Sequence, residues 1–242
     1  MKKLQTLLVA GFAAGALMAT DASATVLTTQ LTGDPRDDTP DLILVDVTVT
    51  FDEGAYGPNQ AFFEVVVDQT NHPNAFLTAF AFNLDDRLSS LDSSAFSNFD
   101  PNTFLIVLNS SVLGTGGATF EFVVSDPPPL PAADQTSTLS FLMDIGALGP
   151  ILVSDFTGAA GNTTGDPSLQ NFQMLARLQG LSVNSTTCPG GNCDDFPSTD
   201  GGSGSAVGNW NGTPVPEPAT LALLGIGLLG AGYMARRRRD DA

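Results

Sequence analysis

Apolar and polar positions alternate along much of the middle of the chain. In residues 41–51 (DLILVDVTVTF), Ile43, Val45, Val47, Val49 and Phe51 fall on one side, with Asp46, Thr48 and Thr50 on the other. A period of two places successive side chains on opposite faces of a strand. Residues 61–69 repeat the pattern, with Phe63, Val65 and Val67 set against Phe62, Glu64 and Val66. Shorter runs rich in Phe, Val and Thr predict further strands at 76–83, 103–109, 118–124, 138–145, 151–156 and 172–183. Turn-forming stretches such as QTNHPN and SDPPPLPAAD separate them. Between residues 25 and 185 no segment holds a 3.6-residue period.

Many short strands without interleaved helices predict an all-β fold. We expect an antiparallel β-sandwich of jelly-roll or Ig-like type over residues 25–185, long enough to enclose one core. Phe63, Phe76, Phe80, Phe82, Phe104, Phe120, Phe122 and Phe141 are its expected core, since Phe is buried far more often than displayed. A sugar-stacking platform would favour Trp and Tyr, whereas this span offers Tyr56. Residues 186–214 change character: Gly, Ser, Thr, Asn and Pro predict a flexible linker, with the single tryptophan, Trp210, inside it.

Charge narrows the possible partners. Residues 25–213 hold three basic residues (Arg36, Arg87, Arg177) against 22 acidic ones, a formal charge of −19. Such a surface repels nucleic acid and anionic lipid and attracts cations. Little catalytic chemistry is available. His72 lies in an Asn-His-Pro-Asn turn, where it is expected to be an exposed loop residue, and a triad would have to use it. The span contains no lysine for Schiff-base chemistry and no nucleophile elbow or phosphate-binding loop, so no catalytic residue and no organic cofactor is expected. Asp34, Asp37, Asp38 and Asp41 crowd one Pro-containing loop. Oxygen ligands at that density suit Ca2+, but Arg36 stands among them and the spacing is not that of an EF-hand, so a solvated loop is the competing reading. Cys188 and Cys193 flank Pro-Gly-Gly-Asn, and a local disulfide is expected. Gln173, Arg177 and Gln179 share one face of the last strand and form the polar row most suited to a ligand.

The two ends of the chain carry transport signals. Lys2 and Lys3 precede an apolar segment at 7–19, and Ala22-Ser23-Ala24 supplies small residues, the layout of a signal peptide (residues 1–24) cleaved after Ala24. Near the other end stands Val215-Pro216-Glu217-Pro218, followed by an uncharged run at 219–235 and then Arg236, Arg237, Arg238 and Arg239. Seventeen helical residues span about 25 Å, the short end of membrane-crossing length. The arginines orient the segment with its C-terminal side in the cytoplasm.

These three parts, in this order, resemble the PEP-CTERM sorting signal (residues 215–239). The resemblance implies an exosortase as processing partner, a Gram-negative host and passage through the inner membrane. It implies a stage with the ectodomain tethered in the periplasm, then a place at the cell surface or in an extracellular matrix with exopolysaccharide. The signal itself imparts no biochemical activity, and the expectation of a non-enzyme rests on the missing catalytic residues. Three readings follow: a non-catalytic matrix protein, an exopolysaccharide-binding module that Ca2+ could assist, or an unprocessed single-pass membrane protein.

Overall fold

The computed structural model describes residues 25–33, 42–52, 56–112, 115–126, 136–181, 202–211 and 215–216. Eleven strands dominate: β1 (Thr25–Thr32), β2 (Leu44–Asp52), β3 (Gly57–Val67), β4 (Phe76–Phe82), β5 (Phe96–Asp100), β6 (Leu105–Ser111), β7 (Thr119–Ser125), β8 (Thr138–Asp144), β9 (Met174–Leu181), β10 (Gly202–Gly208) and β11 (Val215–Pro216). Among the described residues, one short helix, α1 (Ser154–Thr157), and a few 3-10 turns lie in the connections.

The strands form one antiparallel sheet in the order β5-β8-β3-β2-β1-β10-β9-β4-β7-β6, with β11 added beside β1. A sandwich of two separate sheets was the expectation; a single, nearly closed sheet is the finding. The corner lies where β1 passes from β2 to β10. β1 pairs with β2 along its whole length, from Thr25↔Phe51 to Thr32↔Leu44, but meets β10 only at Thr32↔Val207. Gly208 lies close to β1 at this crossing, where a Cβ would come within 2.7 Å of Leu31 Cδ2 and shift that side chain.

The rolled sheet brings the Phe-rich faces of its halves together. Phe63 of β3 lies 5.3 Å from Phe82 of β4 and 4.6 Å from Phe141 of β8, ring centre to ring centre. Alternation is obeyed closely in β2 and β3: Val45, Val47, Val49, Phe63 and Val65 are fully buried, while Asp46 and Glu64 face out. Of the eight expected core phenylalanines, seven are buried and Phe76 is only half-buried. A smaller apolar cluster, including Ala81, Val123, Leu175 and Val207, has Leu169 buried within it and Phe172 packed against it.

Two expectations about local structure also fail. Residues 151–156 do not form a strand. Leu152 N donates to Asp155 Oδ2 at 2.7 Å, and the chain turns into α1. Three consecutive apolar residues, Ile151 to Val153, are too few for a period to decide between strand and helix. The second failure concerns residues 202–211, predicted to be flexible. Gly202–Gly208 forms β10, paired with β9 from Gly202↔Leu181 to Gly208↔Met174, and Trp210 enters the core at 5 % exposure. Small side chains fit there because β10 is enclosed: Ser205 and Ala206 are fully buried. Trp210 packs edge-on against Phe156 (5.3 Å) and Phe63 (6.3 Å), and its Nε1 donates to the Asn83 carbonyl at 3.1 Å. β1, β5 and β11 are further strands that the alternation did not single out.

Candidate functional site

The residues singled out from sequence meet different outcomes. Asp34, Asp37, Asp38 and Asp41, both cysteines, residues 1–24 and residues 217–242 lie outside the described residues. Among the described residues, no group of three His, Cys, Asp or Glu side chains is placed to hold a metal ion, and no helix is long and apolar enough to cross a membrane. His72 is buried, not exposed, and its carbonyl accepts from Ala75 N at 2.9 Å, closing the turn.

The polar row on β9 is largely occupied by the fold itself. Gln173 donates to the Ala159 carbonyl, and its Oε1 accepts from Trp210 N at 2.7 Å. Arg177 Nη2 donates to Ser203 Oγ at 2.7 Å on neighbouring β10. Gln179 alone stands exposed. Two members of the row therefore hold β10 and Trp210 in place.

The outward face of β1, β2 and β3 is more open. Thr28, Thr29, Gln30, Asp46, Val47 and Thr48 line a shallow depression of about 370 Å3. Gln30 Nε2 donates to Asp46 Oδ1 across the strand pair at 2.9 Å. Further along the same face, half-buried Tyr56 stacks on Phe62 with ring centres 5.4 Å apart.

One end of the sheet is built around a charge pair that sequence reasoning missed. β8 ends at Asp144, and the chain crosses that end as residues 145–153 before entering α1. Arg87 lies beneath this crossing. Its Nε donates to Asp155 Oδ1 at 2.8 Å and its Nη2 to Asp155 Oδ2, a two-point grip on a carboxylate only 2 % exposed. The same guanidinium donates to the Leu148 carbonyl at 2.7 Å and the Pro150 carbonyl at 3.1 Å. Its bond to Asp155 raises the already high pKa of Arg87. A planar fork suits this geometry where a lysine could not. With so few basic residues in the acidic span, the need for a buried partner for Arg87 was the available signal.

Nearby, Glu121 is half-buried and Oε2 accepts from Leu84 N at 3.0 Å. Burial pushes its pKa up, the Leu84 N–H pulls against that, and the charges of Asp86 and Asp85 add to the rise.

The last described residues leave from this same end. Thr29 Oγ1 donates to the Asn209 carbonyl, and the chain next appears as β11, with Val215 opposite Val26 and Pro216 opposite Thr25. Antiparallel pairing places Pro216 opposite Thr25, at the start of β1. Residues 214–239, which begin just before β11, match the family model of the PEP-CTERM protein-sorting motif. The chain carries a PEP-CTERM sorting motif. Such a motif marks a secreted protein of Gram-negative bacteria that is directed to an exosortase. No curated protein and no solved structure matches the chain, so the motif identifies its sorting and leaves the ectodomain to be read from its own residues.

Proposed function

We propose that this PEP-CTERM protein is a non-catalytic component of the cell surface or extracellular matrix, processed by an exosortase and displayed beside exopolysaccharide. A signal peptide ending at Ala24 takes it across the inner membrane, and residues 219–235 then tether it with Arg236 to Arg239 in the cytoplasm. The rolled-sheet domain is the cargo. The observation that carries this reading is the family match at residues 214–239, in which motif, apolar run and arginine cluster stand in order. The test is expression of the full chain, tagged after Ala242, in cells with and without their exosortase. Loss of the tag and release from the membrane only when the enzyme is present is the expected result. A tag retained in both strains would favour an unprocessed single-pass protein.

The outward face of β1, β2 and β3 favours one second reading, an exopolysaccharide-binding module. Amide, hydroxyl and carboxylate groups beside a stacked Tyr56–Phe62 pair supply the hydrogen-bonding and apolar surfaces a sugar chain uses. Saturable binding of the full chain to exopolysaccharide would support it. Its loss with a chelator would implicate the aspartates at 34–41.

A further inference from the structure

The end of the sheet from which the tail departs is also where an apolar loop faces outward. Residues 145–154 carry no charge, in a domain with a large excess of acid. Ile145 and Ile151 point inward and are buried, whereas Leu148 and Leu152 are 41 % and 47 % exposed. Gly146 and Gly149 adopt φ of +55° and +92°, conformations that let the loop turn twice within four residues. Arg87 holds the Leu148 and Pro150 carbonyls from beneath, so these backbone acceptors are satisfied from the protein side. Ala147, Leu148, Pro150 and Leu152 are exposed.

We propose that this loop is a lipid-contact surface that seats the domain on the bilayer in which its own tail is anchored. The inference rests on the reading that residues 219–235 enter a membrane. Position is the first argument. Pro216 pairs with Thr25 at this end, and three residue steps of about 3.5 Å separate Pro216 from residue 219. The span therefore begins within about 10 Å of the sheet's end, too short a tether to hold the base far from the headgroups.

Chemistry is the second argument. Exposed leucines on a charge-free loop gain by entering the headgroup boundary, where no unpaired backbone acceptor from Leu148 or Pro150 opposes it. Asp86 and Asp144 are exposed beside the loop, so the surface it suits is uncharged lipid. Leu42 and Leu105, the other strongly exposed leucines among the described residues, lie away from this end, Leu42 just before β2 and Leu105 at the start of β6.

The test uses the full chain with phosphatidylcholine vesicles. Flotation reports insertion of the tail, and hydroxyl-radical labelling reports side-chain exposure in the same sample. Expected is co-flotation with a severalfold loss of labelling at Leu148 and Leu152, while Leu42 and Leu105 label as they do without lipid. Replacing both base leucines (L148D/L152D) should keep flotation, and the labelling of Pro150 and Ala147 should then return to its lipid-free level. Flotation with full labelling of Leu148 and Leu152 overturns the lipid seat and leaves the tail reading intact. Failure to float overturns both.

Discussion

Strand β1 has two unlike neighbours. On one side β2 carries an alternation so regular that its buried face is evident from the letters. On the other, β10, Trp210 and β11 come from a stretch rich in Gly, Ser and Asn. Both sides are ordered, for different reasons. β2 is held by its own Val and Phe side chains, each removed from water against the opposite half of the sheet. β10 brings almost no apolar area of its own. It is held by a ladder to β9, by Arg177 and Gln173, and by a single large anchor, Trp210. A segment can thus belong to a core because its neighbours leave a space that only small residues fit.

Removing each side separately tests this contrast. The largest effect should come from ending the chain after Leu181, which strips β9 of its partner and empties the Trp210 site. We expect loss of a cooperative urea transition by circular dichroism. Ending it after Asn211 instead should preserve that transition. Trp210→Ala, which leaves the backbone of β10 but removes its anchor, should cost about 4 kcal/mol in urea unfolding. Hydrogen exchange should then accelerate in β10 before β2. Arg87→Ala leaves the nearly inaccessible Asp155 carboxylate without its cation and should cost about 3 kcal/mol. Arg87→Lys should recover only part of that, since an ammonium cannot reproduce the fork. On the regular side, Val47→Ala should cost about 2 kcal/mol, less than Trp210→Ala because it removes two methyl groups and not an indole. The reverse order would mean that β10 is a dispensable edge.

The smallest effect concerns Glu121. Its raised pKa means the folded state holds the proton more tightly than the unfolded state does. Stability from this group is therefore present at acid pH and declines as pH rises from the ordinary glutamate value of 4.5 through the folded value. Glu121→Gln keeps an acceptor for Leu84 N and cannot ionise. Its melting temperature should exceed the native one at neutral pH and converge with it in acid.

The order of the chain has a consequence for sorting. A flexible linker would let the exosortase motif move far from the domain. Trp210 instead fastens the chain four residues before the matched segment starts at 214, and β11 lays Val215 and Pro216 along β1. The matched segment therefore begins against the end of the sheet and not at the far end of a long tether.

How much was legible follows from where each signal resides. The all-β class, the buried faces of β2 and β3, and the sorting tail were decided by sequence alone. Strand alternation and the order of motif, apolar run and arginines are local patterns, complete within a few consecutive residues. The same holds for the scarcity of basic residues, which made a partner for Arg87 a question that could be asked. Tertiary structure decided everything that depended on distant neighbours. The single rolled sheet depends on the pairing of β1 with β10 at Thr32 and Val207, far apart in the chain. β10 and buried Trp210 depend on a slot framed by β1, β9 and Phe156. The turn at 151–157 is held by Arg87, which grips Asp155 across the end of the sheet from 68 positions away, where the three apolar residues before it have too weak a local preference to decide the conformation.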